Sequence, residues 1–280
     1  MAAEWHKVFN MRGFDKDAAP RWQMVPIKGF RYMALRNGAG LTVTSNDPTV
    51  VTVTEIKQAE IPPEDERMAL HAGDRIFRLH GLKKGNARIQ AKSGAAVDSE
   101  LEVDTKDRKK VLVSFNFVHD SAGHKTRRVA ASAGHWVSTM NYVYNRQANI
   151  QVVLRATRNV AVASNLGAEV TWDATAGSEW NTVTALGDAG ADLNYFLVWE
   201  YEQDTTPGDG ADAGTLAGNC LFEDSIGGND TGVEMAHELG HFLGRHDHYV
   251  AARKLELMYG YFGGLHGVHL TKDDVNVMNP

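Results

Sequence analysis

Cysteine is nearly absent from this chain of 280 residues, which contains only Cys220. A single cysteine excludes an intramolecular disulfide, as is typical of proteins that tolerate a reducing compartment. Long apolar runs are absent too: no stretch approaches the roughly 20 apolar residues of a membrane helix, so we expect no membrane span. The first residues lack the basic region and apolar core of a secretory signal peptide, so we expect synthesis in the cytoplasm without one.

What the chain does have is an ordinary globular composition, 43% hydrophobic, with an uneven distribution of charge. Residues 1–110 contain 19 Lys and Arg against 15 Asp and Glu, a net charge of +4. Residues 111–280 contain 10 against 20, a net charge of −10. The change of sign near Lys110 predicts a domain boundary there. An acidic second half repels phosphates, so we expect no nucleic-acid partner.

The first part of the chain has the pattern of a small β-sandwich. Short β-branched segments are separated by Gly, Asn, Asp and Pro, and several such strands within about 80 residues are typical of a sandwich. The first 25 residues show no assignable pattern. The charged stretch 104–110 is predicted to be a solvated linker, with a basic partner-binding patch as the alternative. The predicted strands are residues 30–35, 41–44, 50–54, 75–79, 87–91 and 101–103.

The second part alternates strands with helices. Residues 126–146 place apolar side chains at helical spacing and predict an amphipathic helix. The Gly- and Asp-rich loop 204–214 lacks the regular carboxylate spacing of a calcium loop, so we expect a solvated loop, with Ca²⁺ binding as the alternative. The predicted strands are residues 111–118, 150–155, 193–200 and 218–223.

The strongest chemical signal is a pair of histidines four residues apart, His237 and His241, with Glu238 beside the first. Each residue of an α-helix turns by about 100°, so side chains four apart lie one above the other on one face. Two imidazoles placed in this way can ligate one tetrahedral Zn²⁺. Glu238 can take a proton from a water molecule at the metal. The segment predicts a helix that begins near Asp230 and ends at Gly244, since glycine tolerates a left-handed turn.

The extended motif H-E-x-x-H-x-x-G-x-x-D spans residues 237–247 and resembles the metzincin clan of zinc metallopeptidases, whose third ligand is His or Asp. The resemblance implies a mixed sheet with an active-site helix. It also implies that the two motif histidines and Asp247 ligate one Zn²⁺, with the motif glutamate as general base. His246 and His248 flank Asp247 and stay open as alternative third ligands. A rival zincin group uses a glutamate on a later helix, for which Glu256 is the candidate.

A methionine follows the motif at a spacing similar to the metzincin methionine turn. Met258 begins an ending that resembles the clan's L-M-y…G…L-T-x-x-x-V, in which a final helix starts at Thr271. The resemblance implies that Met258 lies beneath the metal, and a plain core methionine is the alternative. In some metzincins a tyrosine stands two residues after this methionine, where this chain has Gly260. Tyr259 or Tyr261 is then the candidate to hydrogen-bond an oxyanion, or to pack beside the pocket.

The segment before the metal helix, residues 214–223, is the candidate edge strand for substrate. Extended peptides bind proteins by adding a strand to a sheet edge. Cys220 within it is predicted to be a small apolar strand residue, with a zinc-blocking thiol as the alternative. The candidate substrate-binding residues are Gly218, Asn219, Cys220 and Leu221.

Residues 41–53, LTVTSNDPTVVTV, and 81–89, GLKKGNARI, resemble the bacterial Ig-like domains. In those domains a strand, an S-x-D-P turn and a second strand precede a G-L-K-x-G turn. The resemblance covers residues 30–105 and implies a binding, spacing or docking module. The expected fold class is α+β, with an Ig-like sandwich at residues 1–110 and a metallopeptidase domain at 111–280.

Together these features predict a zinc-dependent endopeptidase that hydrolyses protein or peptide substrates. The alternative is a zinc-stabilised Ig-like binding or adaptor protein without turnover, although a purely structural site needs no base. The Ig-like module and the leaderless start also suggest a bacterial effector or toxin, delivered by a contact-dependent secretion system of type VI. Its expected partners are a component of the secretion apparatus and an inhibitor or immunity protein.

Overall fold

A computed structural model of the chain describes residues 2–64, 67–171, 178–202, 213–224, 231–260 and 267–280. Strands and helices follow one another in an α+β arrangement. The four α-helices among the described residues are α1 (Ala133–Ala148), α2 (Glu179–Thr184), α3 (Thr231–Phe242) and α4 (Lys272–Met278). The chain divides into two compact units. The first comprises Met1–Lys109, Arg146–Ile150 and Leu270–Pro280, and the second comprises Lys110–Asn145 and Gln151–His269.

The first unit contains two sheets that enclose one apolar core. The strands are β1 (Glu4–Lys7), β2 (Phe14–Asp15), β3 (Arg21–Pro26), β4 (Phe30–Arg36), β5 (Thr42–Ser45), β6 (Val51–Ile56), β7 (Arg75–Gly81), β8 (Gly85–Ser93) and β9 (Ala96–Lys106). One sheet has the order β1-β4-β7-β6 and the other β2-β3-β9-β8-β5. Trp5, Leu35 and Leu79 from the first sheet meet Ile89 and Leu101 from the second in the core, where all are fully buried. The six strands predicted between residues 30 and 103 are confirmed as β4 to β9.

The charged stretch 104–110 is not the solvated linker that the sequence predicts. Strand β9 continues through Lys106, and the next strand begins at Lys109. Asp104 is buried because both of its carboxylate oxygens have donors: Trp22 Nε1 lies 2.7 Å from one and Asn86 Nδ2 lies 2.8 Å from the other. The sequence alone does not show whether a charged residue is paired inside the fold or exposed to solvent. For this reason the stretch is predicted as a solvated linker.

The second unit is built on a five-stranded sheet of order β11-β10-β13-β16-β15. Its strands are β10 (Lys109–His119), β11 (Ile150–Ala161), β13 (Leu193–Leu197), β15 (Ala213–Leu216) and β16 (Asn219–Phe222), and a separate pair is formed by β12 (Val170–Thr171) and β14 (Tyr201–Glu202). Strands β10, β13 and β16 run parallel, whereas β15 pairs antiparallel with β16. Among the described residues, β15 is therefore an edge of this sheet.

One row of side chains crosses this sheet on the face that meets α3. Phe115 pairs with Tyr195, Tyr195 with Cys220, and Cys220 with Thr215 at the edge. Residues directly opposite one another project from the same face of a sheet. The hydroxyl of Tyr195 donates to the carbonyl of Met235 in α3 at 2.6 Å, so this row supports the helix that carries the histidine motif.

Helix α1 begins seven residues later than the sequence predicts. Thr126 Oγ1 and the backbone N–H of Arg127 donate to Asp224 at 2.5 and 2.6 Å. Residues 130–132 form a short 3₁₀ turn, and the α-helix follows from Ala133. The tertiary contacts to Asp224 hold the start of the apolar pattern outside the helix. None of the helices in the described ranges has the length and apolar character that crossing a bilayer requires.

The final helix, α4, begins as predicted but belongs to the first unit. Thr271 is its N-cap and forms a capping box with Asp274. Lys272 Nζ lies 2.8 Å from Glu102 Oε2, and the Asn279 amide donates to the carbonyl of Ala148 at 2.8 Å. These contacts join residues 270–280 to the first unit, whereas the sequence analysis assigns them to the metallopeptidase domain.

Candidate metal centre

The two motif histidines project from the buried face of α3. His237 is only 5% exposed, and His241 is partly buried one turn later. Their Nε2 atoms lie 3.2 Å apart. The predicted helix is confirmed over Thr231–Phe242, while the proposed N-cap, Asp230, lies outside the described residues.

Gly244 ends this helix in the left-handed conformation, with φ of +96°. The N–H of Gly244 donates to His241 O, and the N–H of Arg245 donates to Gly240 O, both at 3.0 Å. These two hydrogen bonds form a Schellman motif, which glycine favours because it has no Cβ. The turn sends the chain back toward the exposed ends of the two imidazoles.

Asp247 is the residue that this turn brings to the histidine pair. Its Oδ1 lies 3.1 Å from Nε2 of His237 and 3.5 Å from Nε2 of His241. A tetrahedral zinc ion with ligands at about 2.0–2.2 Å separates neighbouring ligand atoms by about 3.3–3.6 Å. The three atoms therefore have the spacing of a zinc ligand set. His237, Glu238 and His241 form a group whose ligand atoms lie within 4.8 Å of one another and which could hold a metal ion.

Backbone carbonyls fix the direction of both rings. Nδ1 of His237 donates to Leu257 O at 2.8 Å, and Nδ1 of His241 donates to Arg245 O at 2.9 Å. A carbonyl only accepts, so each Nδ1 carries a proton, and each ring in its neutral form directs its Nε2 lone pair toward Asp247. Two lone pairs and a carboxylate oxygen thus converge on one point, an arrangement that attracts a cation.

The electrostatics of His237 agree with this convergence. Burial lowers the pKa of the His237 imidazole, but its hydrogen bond with Asp247 and the negative charges of Glu238 and Asp247 outweigh burial and raise the pKa to about 9. A proton is one cation that this position attracts, and it competes with a metal ion for the same lone pair.

The alternative ligands lie elsewhere. His246 is exposed. His248 Nε2 lies 3.1 Å from Glu256 Oε2, and Glu256 also pairs with Arg253 at 2.6 Å. His248 and Glu256, the candidate of the rival zincin arrangement, therefore contact each other rather than the two motif histidines.

Glu238 is 8% exposed and is held from the sheet edge. Thr215 Oγ1 donates to Glu238 Oε2 at 2.5 Å, and Cys220 Sγ lies 4.0 Å from the same oxygen. Burial raises the pKa of the Cys220 thiol well above its usual value, which disfavours the thiolate that a zinc-blocking role needs. Cys220 is a buried strand residue, as the sequence predicts.

The candidate substrate strand requires a correction. Asn219, Cys220 and Leu221 lie in β16, between β13 and β15, and Gly218 lies in the turn before it. The edge is β15, because the chain forms a hairpin here and the first strand of the hairpin is the outer one. Alternating polarity in the sequence does not reveal which strand of a hairpin is outermost.

Met258 packs against α3. It is fully buried, and a Cβ on Gly240 of α3 would collide with its sulfur. The ring of Tyr259 packs on His248 with centroids 5.7 Å apart, which matches the simpler packing role. Tyr261 and loop residues 203–212 lie outside the described residues.

Three neighbours of the motif make contacts with it that the sequence analysis does not predict. Thr215 depends on strand register for its contact with Glu238. Gly260 lies against Asp247. Tyr249 is 65% exposed and hydrogen-bonds Asp247, and partial burial together with the charge of Asp247 raises the pKa of its hydroxyl. Only the position of Tyr249, two residues after Asp247, hints at its contact.

No protein-family model matches the chain, and no curated protein matches it either. Among solved structures, domains 1–6 of the surface layer protein SbsC match at 13% identity over 40% of this chain and 13% of that one, with a TM-score of 0.25. A chaperone–substrate complex matches at 15% identity over 72% of this chain and 37% of that one, with a TM-score of 0.36. Metalloproteinase-II from Bacteroides fragilis matches at 9% identity over 91% of this chain and 84% of that one, with a TM-score of 0.37.

The chain thus spans about one eighth of the surface-layer chain that it matches. All three TM-scores are below 0.5, so these likenesses support neither a fold assignment nor a function. The metzincin and Ig-like resemblances stay predictions. Without these comparisons, the geometry shows a group of two histidines and a neighbouring glutamate that could hold a metal ion. Asp247 contacts both histidines.

Proposed function

We propose that this chain is a zinc-dependent endopeptidase, with His237, His241 and Asp247 as zinc ligands and Glu238 as the general base. The observation that carries the proposal is the convergence of two Nε2 atoms and one carboxylate oxygen at 3.1–3.5 Å beside a second, buried carboxylate. Nitrogen and oxygen donors in this number and spacing suit Zn²⁺, and three protein ligands leave its fourth position open for chemistry.

Bound zinc would supply a water ligand with a pKa of about 7 and would polarise the scissile carbonyl. The chain's own contribution begins with Glu238, whose carboxylate accepts the proton of the attacking water and returns it to the leaving amine. Thr215 anchors one oxygen of this carboxylate, so the proton goes to the other oxygen.

The position of Thr215 links the base to substrate binding. Strand β15 is the sheet edge among the described residues, and an extended peptide can add to it as a further strand. The same strand holds Glu238 through Thr215. Strand β15 would therefore orient both the general base and the scissile peptide bond. This favours an extended peptide as substrate over a small molecule that no strand holds in place.

Cleavage of a diverse peptide mixture at neutral pH, followed by mass spectrometry, tests the proposal. We expect Glu238→Gln to lower turnover by about 10²–10⁴-fold, the usual contribution of general acid–base catalysis, while the zinc content stays at one ion per chain. Glu234→Gln on the same helix is the matched control, since it removes the same charge from a residue outside the site, and it should cleave like the wild type.

Equal cleavage by the wild type and Glu238→Gln would contradict the proposed mechanism. Bound zinc without cleavage by any variant would instead point to the alternative, a zinc-stabilised binding or adaptor protein. The effector hypothesis, with its secretion apparatus and immunity partner, goes beyond the site and stays a prediction. Detection of the protein in recipient cells during contact with producing cells would support it, and its retention in the producing cells would contradict it.

A further inference from the structure

Residues 257–260, which we name the ligand-support turn, touch all three proposed zinc ligands directly or through one neighbour. The carbonyl of Leu257 accepts from Nδ1 of His237. Met258 packs under α3 at Gly240, one residue before His241. Gly260 lies against the side chain of Asp247. The first contact orients the ring of His237, and the third raises the question of what orients the carboxylate of Asp247.

Gly260 leaves no room for a side chain. A Cβ at this position would lie 2.8 Å from Cγ of Asp247 and 2.9 Å from both its Cβ and its Oδ2. Carbon atoms in contact normally stay about 3.5–4.0 Å apart. The backbone of Gly260 is not in the left-handed region, so alanine could adopt its conformation. The conflict with Asp247 is therefore steric.

Asp247 cannot simply withdraw, because the residue after it is fixed to the same turn. The N–H of His248 donates to Met258 O, and the N–H of Gly260 donates to His248 O, both at 3.0 Å. These bonds form a parallel bridge between His248 and Tyr259. With the backbone pinned, a new Cβ at residue 260 would displace the carboxylate, and ligand geometry tolerates only about 0.2 Å.

We propose that Gly260 is a positioning residue for the metal: its missing side chain is the space that lets Asp247 reach both histidines. The inference rests on the metal site of the proposed function, but it concerns zinc affinity and does not depend on peptide hydrolysis.

The test is the affinity of the full chain for Zn²⁺, measured by competition with a chromogenic chelator. We expect Gly260→Ala to weaken zinc binding by about 10- to 100-fold, as is typical when a group that orients a metal ligand is changed. Gly134→Ala is the matched control, because a Cβ there meets nothing within 4 Å, and its zinc affinity should equal that of the wild type. An affinity of Gly260→Ala within twofold of the wild type would overturn the inference.

A double-mutant cycle separates this effect from general damage to the fold. In an Asp247→Gly background all three side-chain atoms that a Cβ at residue 260 would meet are absent, so adding Gly260→Ala should cause no further loss of zinc affinity. If Gly260→Ala alone fails to fold but the double variant folds, the clash with Asp247 is confirmed. If both fail to fold, or if the two losses add, Gly260 acts through something other than Asp247 and the inference is wrong.

The outcomes also separate this inference from the proposed function. A wild-type chain that binds no Zn²⁺ would end both. Zinc binding that is insensitive to Gly260→Ala would end this inference alone, and altered zinc affinity without any peptide cleavage would support it while leaving the peptidase proposal without support.

Discussion

Two carboxylates, the buried Asp104 in the first unit and the partly buried Asp247 in the second, have opposite surroundings. Asp104 in the first unit meets donors, since Trp22 and Asn86 each give it an N–H. Asp247 in the second unit meets the Nε2 atoms of two imidazoles whose protons are held on the other side by carbonyls. The carboxylate of Asp104 is satisfied by donors of the protein, whereas the carboxylate of Asp247 faces two further atoms that are acceptors when their rings are neutral.

The contrast separates a structural polar group from a functional one. A buried acceptor costs free energy unless a donor satisfies it, so donor–acceptor pairs such as Asp104 and Trp22 contribute to stability. Acceptors that face one another are stable only around a cation. Convergence of lone pairs is therefore a stronger indication of a metal site than the presence of histidines.

Metal removal should give the largest effect. With Zn²⁺ at about a thousand times its Kd, binding stabilises the folded state by about 4 kcal/mol, and chelation removes that contribution. Hydrogen exchange should show lost protection in α3 and in residues 246–260, with β3 and β9 of the first unit unchanged. Equal loss of protection in both units would contradict the placement of the metal.

The next largest effect should come from the first unit. Asp104→Ala leaves the N–H groups of Trp22 and Asn86 without their acceptor, and we expect a loss of about 2 kcal/mol in the free energy of unfolding, measured with denaturant. Zinc affinity should not change. Asp104→Asn keeps the shape and an acceptor oxygen, so it should cost less. A fall in zinc affinity in either variant would contradict the claim that Asp104 serves stability and not metal binding.

The smallest effect should appear at the edge of the sheet. Thr215→Val keeps the shape of the side chain but removes the donor to Glu238, and we expect kcat to fall about tenfold, equivalent to about 1.4 kcal/mol. KM and zinc content should stay near wild-type values. Thr215→Ser, which keeps the hydroxyl, should retain most of the activity. A Val variant as fast as the wild type would show that Thr215 has no part in orienting the base.

Local pattern and sequence spacing predicted much of this molecule. Strands β4 to β9 follow from β-branched runs between turn residues, and α3 follows from its periodic apolar face and the glycine after it. The relation of His237, Glu238 and His241 follows from helix geometry alone, since all three lie on one continuous helix. Features that depend on neighbours in sequence were therefore accessible.

Features that depend on pairing between distant segments were not accessible from sequence. The carboxylate of Asp104 seemed solvated because its donors lie 82 and 18 residues away. The candidate substrate residues 218–221 do not lie on the edge strand, since which strand of the hairpin is outermost depends on the pairing of β16 with β13. Thr215 went unnoticed because its contact with Glu238 depends on the register of β15, and the space at Gly260 depends on where Asp247 arrives.

The hairpin that carries Thr215 turns in only two residues, Ala217 and Gly218, both with positive φ. The length of this turn is fixed by the pairing of the two strands. One residue more or fewer between Leu216 and Asn219 would shift β15 by one position and send all of its side chains to the opposite face. Thr215 would then point away from α3. The length of this loop, rather than the identity of any catalytic side chain, is thus a sequence feature on which the alignment of the proposed base depends.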